Sequence, residues 1–240
     1  LISNGLSIVF NSYTLKDNPD VTIYQRYIIK NHFDYLAEEK IERQRGKRLF
    51  VGNGHNYILN QGLIFNVTLA FFKRSFLMEN NLKFLNYTIA EDFLFFTSVL
   101  LLNPAIISTS YNIYRYIVHE NSITTTRSSK QAQKCVHDYL SVMKNIQQQL
   151  SNINDKAQSI YNIYTKAMNL NSFYIYKKIL IANYSTSTYT SIINEFKKAK
   201  LLPIIHTGTN LKCIIGYSII NILTYIPILY KPTSFIYNRI

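Results

Sequence analysis

Few side chains in this sequence sit where they could do chemistry, and the most suggestive are the adjacent carboxylates of Glu91 and Asp92. A carboxylate within hydrogen-bond reach of a hydroxyl can accept its proton while the oxygen attacks an electrophilic carbon, so the pair could serve as a general base and its helper. Further along lie Arg115, His119, Ser122 and Thr124. The planar fork of an arginine suits phosphate, an imidazole suits a metal ion, and the two hydroxyls can donate hydrogen bonds. Each has a plainer reading. An acidic pair is what many helices carry in their first turn, where unpaired N–H groups and the helix dipole stabilise negative charge, and His119 reads more readily as a surface or loop histidine than as a ligand. His32, His55, His137 and His206 show no metal-ligand spacing and receive no role.

The elements that must position these residues follow from periodicity. Leu6 to Tyr13 is short, β-branched and aromatic and predicts a strand, closed by the turn residues Lys16 to Asp20. From Ile23 to Arg45, Tyr27, Ile28, Phe33, Leu36 and Ile41 recur at helical spacing, and the charged run from Glu38 to Arg48 reads as a solvated helix end or loop. The cluster Gly52-Asn53-Gly54-His55-Asn56 opens a stretch expected to be extended from Tyr57 to Phe72, with a strand near 63–72. A short helix is expected from Lys73 to Asn80, a buried helix over 91–102 ending at Asn103-Pro104, and a strand over 106–116. Beyond residue 128 the pattern is helical. One stripe comprises Val136, Tyr139 or Leu140, Met143, Ile146 and Leu150; the next comprises Ile160, Ile163 or Tyr164, Ala167, Leu170 and Tyr174. A third helix is expected from Ser187 to Leu201.

Charge is distributed unevenly. Residues 1–120 carry 12 basic and 10 acidic side chains, whereas 121–240 carry 14 and 3, so almost all of the net +13 belongs to the second half. Within that half, Cys213 to Tyr230 contains no charge over 18 positions, a length at the lower limit for a membrane span. Ser218, Asn221, Thr224 and Pro227 dilute it, which favours a helix lying in the membrane interface over a true span or simple docking on the helical region. Two distant cysteines, Cys135 and Cys213, argue against a disulfide framework and fit a reducing cytoplasm. The N-terminal Leu1-Ile2-Ser3-Asn4-Gly5 has no signal-peptide pattern and reads as a cut in a longer chain.

Taken in order, four segments carry a resemblance: Leu69 to Leu77 with Phe72-Lys73-Arg74-Ser75-Phe76-Leu77, Glu79-Asn80-Asn81-Leu82-Lys83-Phe84, Ala90-Glu91-Asp92-Phe93-Leu94-Phe95, and Tyr114 to Thr124. Their order and spacing resemble the second half of family 2 glycosyltransferases, which commonly read F-K-R-S-F-L-x-E-N-N-I-x-F, then E-D-x-x-F, then Y-x-Y-R-x-x-x-N-S-I-T. The resemblance implies an α/β chain: an incomplete A-type mixed sheet over residues 1–127, followed by a helical C-terminal region over 128–240 with a membrane-surface segment at 213–230. It implies inverting transfer of a sugar from a nucleotide-diphosphate donor to the hydroxyl of a glycan or lipid-linked acceptor, in bacterial surface polysaccharide or lipooligosaccharide synthesis. Asp92 would be the base and Glu91 its assistant, with Arg115, His119 and Ser122 near the donor diphosphate and His119 a candidate metal ligand. A Mn or Mg ion is expected in the complete enzyme. No D-x-D occurs in this sequence, Asp17 and Asp20 being separated by two residues in a turn, so the chain alone is expected to bind neither the ion nor the donor. The expected location is cytoplasmic, peripheral on the inner face of the cell membrane.

A second reading from a different class is a non-catalytic basic module that sits on anionic lipid, supported by the +11 half and the uncharged 213–230 stretch. Nucleic-acid binding is disfavoured, because the lysine pairs at 177–178 and 197–198 fall within amphipathic helices and neither an aromatic RNA-binding signature nor a helix-turn-helix stands out.

Overall fold

The computed structural model describes residues 19–29, 48–117, 128–152, 158–205 and 211–238. Its contacts divide the chain into two compact units, Leu1–Phe84 with Phe95–Glu120, and Leu85–Leu94 with Asn121–Ile240.

The first unit is α/β, built on a four-stranded mixed sheet. β1 (Val21–Ile29), β2 (Arg48–Asn53), β3 (Ala70–Phe72) and β4 (Ala105–Ile117) lie in the order β2-β4-β1-β3. The two central strands β1 and β4 run parallel, and each edge strand pairs antiparallel with its neighbour. Val21, Thr22, Ile23 and Tyr24 are all buried, as are Ile106, Ile107, Ser108 and Thr109, so over these residues both faces of the central pair are covered. Asp20 registers the strands. Its amide donates to Ala105 O and its carboxylate accepts from Ala105 N, both at 2.9 Å, while its carbonyl accepts from Lys73 N at 2.9 Å.

The strand at 105–117 agrees with expectation, but two other expected elements are corrected. Residues 23–29 belong to β1 and not to a helix: at its start, Val21 to Tyr24 are buried on both faces, so the alternation that marks a half-exposed strand is missing there. The stretch from Tyr57 is not extended at first. Gly54–Gln61 forms helix α1, because Asn53 caps it by accepting from Asn56 N at 2.9 Å, and Gly62, at φ 85°, stops it. A 3₁₀ turn (Val67–Leu69) then leaves only Ala70–Phe72 as strand. Gly54 is required where it stands, since a Cβ there would meet Leu100 O at 2.5 Å and Pro104 Cδ at 2.8 Å. The expected strand at 6–13 and the remainder of the expected 23–45 helix, from residue 30, lie outside the described residues.

Two expected helices of this region are present. α2 (Arg74–Glu79) follows β3, and α3 (Glu91–Leu101) leads into β4. From Phe95 onward α3 belongs to the sheet unit, where Phe95 and Phe96 meet Phe72 edge-on at 5.4 and 5.5 Å and Phe84 stacks on Phe95 at 4.2 Å. Full burial of a side chain such as Phe96 contributes about 1.5–3 kcal/mol.

The second unit is helical: α4 (Ser129–Ser151), α5 (Gln158–Ala182), α6 (Thr186–Lys198), α7 (Leu211–Tyr225) and α8 (Tyr230–Tyr237), with a 3₁₀ turn (Pro227–Leu229) before the last. The α4 stripe lies inward as expected, with Val136, Tyr139, Met143, Ile146 and Leu150 buried. The α5 stripe differs after its first turn. Ile160, Tyr164, Met168 and Ser172 are buried while Tyr174 is 67% exposed, and the C-terminal half also buries Ile175, Tyr176 and Ile179. The reason is that α5 packs against α4, α7 and α8, so its buried surface widens beyond a single stripe. Polar side chains fix the layers. Asn169 donates to Leu201 O and Pro203 O at 3.2 and 2.8 Å and accepts from Ile205 N at 2.7 Å. Tyr176 and Tyr189 share a 2.5 Å hydrogen bond, and Tyr189 donates to Leu223 O at 2.9 Å while stacking on Tyr230.

Candidate functional site

Glu91 and Asp92 occupy the first turn of α3, which with the preceding turn (85–90) belongs to the helical unit. Ala90 enters the helix at φ 60°, and its carbonyl accepts the first helical bond, from Leu94 N at 3.0 Å. A β-carbon in the left-handed region costs on the order of 1–2 kcal/mol, so the surrounding packing must hold the chain in this bend.

Two anchors do so. Phe93 and Leu94 are each 4% exposed, and Phe93 stacks against Tyr164 of α5 at 5.9 Å. Before the bend, Thr88 N donates to Asp138 Oδ2 of α4 at 2.8 Å, and Lys134 Nζ reaches both Asp138 Oδ2, at 2.6 Å, and the Thr88 hydroxyl. Burial on its own would raise the Asp138 carboxyl, but the hydrogen bonds from Lys134 and Thr88 outweigh it and hold the group below the ordinary carboxylate range. The turn carrying the acidic pair is thus tied at both ends.

The pair itself is half-buried. Glu91 is pushed above the usual carboxylate range by loss of water and, to a smaller degree, by the neighbouring charge of Asp92; a hydrogen bond to its own backbone N–H offsets part of that. A carboxyl so raised is the stronger base once it has lost its proton.

The other expected site residues are placed less fully. Arg115 lies on β4 in the sheet unit, in register with Tyr27 of β1. His119 and Ser122, with Thr124, lie outside the described residues. Among the described residues no three His, Cys, Asp or Glu side chains could together hold a metal ion.

Lys134 and Asp138 had no place in the sequence reading. Their four-residue spacing on a helix, and the rarity of acids in the second half, are the local signals that mark them. Their partner Thr88, 50 residues away, has no such signal. Comparisons of the chain with protein-family models, with curated proteins and with solved structures find no match.

Proposed function

We propose that this chain contributes the acceptor side of an inverting, sugar-nucleotide-dependent glycosyltransferase of the A-type fold, related to family 2, acting in surface-glycan synthesis. Asp92 takes the proton of the acceptor hydroxyl as that oxygen bonds to the anomeric carbon. The bond from that carbon to the donor diphosphate breaks on the opposite face, and the nucleotide diphosphate leaves with the electron pair. Glu91 orients the acceptor or Asp92. Arg115, His119 and Ser122 are assigned to the diphosphate, a Mn or Mg ion to the complete enzyme, and the nucleotide itself to residues outside this sequence.

The observation that supports this most is the position of the pair. Two carboxylates stand at the start of a buried helix, behind a strained left-handed residue, on a turn held by its own ion-paired anchor. A left-handed alanine held in place by distant packing is the kind of strained position that functional sites keep. In the complete enzyme, Asp92→Asn should lower turnover about 10²–10⁴-fold while leaving donor affinity nearly unchanged, as measured by nucleotide-diphosphate release and donor titration. An equal loss of donor affinity would assign Asp92 a structural role.

A second reading, a basic module at an anionic membrane surface, is favoured by one specific observation. The last two helices and the 3₁₀ turn between them present large apolar side chains to solvent, including Ile219, Ile228 and Ile236. The two readings are compatible, because an enzyme extending a lipid-linked acceptor works at the membrane.

A further inference from the structure

α7 and α8 are each bound to the helical unit by one face only. On the inward side Ile220, Leu223, Tyr230 and Ser234 are buried, and the Asn221 side chain both accepts from Ile204 N, at 2.8 Å, and donates to Ile204 O, at 3.0 Å. Tyr230 donates to Ile179 O at 2.9 Å and Ser234 to Leu180 O at 2.6 Å. On the outward side Ile215, Ile219 and Ile222 recur at four- and three-residue spacing, Ile228 stands at the bend, and Phe235 and Ile236 follow on α8, all between 49% and 75% exposed. No single helix among the described residues is long and apolar enough to cross a membrane. The two limbs are apolar enough only when taken together, and they are bent by 114°. Spanning would also break the hydrogen bonds of the inward face.

We infer that the outward face of α7 and α8 is a membrane-docking surface, lying in the plane of an anionic bilayer with its isoleucines among the upper acyl chains. Charge argues for lipid as the occupant. The stretch from Cys213 to Tyr230 is uncharged, yet residues 121–240 carry 14 basic side chains against 3 acidic ones, and Asp138 and Glu195 are already paired with Lys134, Lys144 and Lys198. Lysines also flank the apolar face. Lys197 Nζ donates to Thr224 O at 2.9 Å and lies 4.7 Å over the Tyr225 ring, Lys231 reaches Asn183, and Lys177 covers Phe173, which packs on Tyr217 of α7. Their long stems can lie along apolar surface while the ammonium groups meet phosphate. An exposed face of isoleucine with aromatic Tyr225 and Phe235, edged by lysine, matches an interfacial helix. This deepens the membrane-surface reading and is independent of the transfer chemistry.

The chain has no tryptophan, so Ile228→Trp installs a single reporter at the bend. Mixed with phosphatidylglycerol–phosphatidylcholine vesicles, this variant should show a blue-shifted indole emission that brominated acyl chains quench. In cosedimentation the parent should bind these vesicles more strongly than pure phosphatidylcholine, and less strongly in high salt. Ile219→Asp with Ile228→Asp should reduce binding at least tenfold while circular dichroism stays that of the parent. Should the double variant misfold, quenching of the indole decides alone. Parent-like binding by a folded double variant, or an unquenched indole on bound protein, overturns the inserted face but leaves the membrane-surface reading. Failure of the parent to bind anionic vesicles overturns both, with the transferase reading untouched. An emission shift that appears on raising protein concentration without lipid, and not on adding vesicles, assigns the face to a second copy of the chain and likewise overturns the proposal.

Discussion

A carboxyl partly removed from water beside another carboxylate keeps its proton longer than a free side chain does, and Glu91 is in that position. Its proton affinity is higher in the folded chain than in the unfolded one. The group therefore favours folding below the ordinary carboxylate range, and that contribution is lost as pH rises through its folded pKa. Glu91→Gln removes the titration, so the variant should gain stability over the parent between about pH 4 and about pH 7, as read from urea melts at the two values. Asp92→Asn separates the roles, since loss of the base lowers turnover whereas loss of a helix-start charge lowers stability. Both acids were legible from their place before a buried helix that ends at Asn103-Pro104. What had no local trace was the bend at Ala90, because a left-handed alanine is imposed by what packs around it and not by its own preference.

Among elements, the decisive contact is between the 85–90 turn and α4. Asp138 is nearly buried and held below its ordinary pKa, so its contribution is present above the unfolded carboxylate range and disappears as pH falls through the folded value. Asp138→Asn keeps an acceptor for Thr88 N–H but loses the charge facing Lys134. It should cost about 1–2 kcal/mol at neutral pH, moderated because Lys134 is open to water, and less in acid. Faster hydrogen exchange at the Thr88 amide would locate the loss in the turn. The strand and helix readings divide for a related reason. β4 has enough β-branched and aromatic residues to be read locally, as does the 3.6-residue stripe of α4. β1 and β2 were missed, because a doubly buried strand lacks alternation and a short edge strand has few apolar residues to alternate.

For the whole molecule, the helical unit is held by buried tyrosines. Burial raises the phenols of Tyr139 and Tyr176 far above their usual value, and pushes Tyr184 and Tyr189 up to about 12. A phenol whose pKa is raised on folding stabilises fully below its unfolded value and loses that contribution as pH rises. Alkaline titration followed by tyrosinate absorbance should show the signal of the buried phenols appearing together with loss of helical circular dichroism, at about pH 10–12. Tyr189→Phe removes the group joining Tyr176 to Leu223 O and should cost about 1–2 kcal/mol in thermal or urea unfolding.

The helical second half, a helix over 91–102 with its acidic start, a strand over 106–116 and the segregation of positive charge could all be read locally, because each is written in periodicity, caps or composition over a few turns. Packing alone made residues 21–29 a central strand, widened the buried surface of α5 beyond one stripe, anchored the acidic turn on α4 and set which face of α7 and α8 meets solvent. These depend on partners distant in the chain. Burial on one side or two, and pairing across 50 residues, are set by packing that local spacing does not encode.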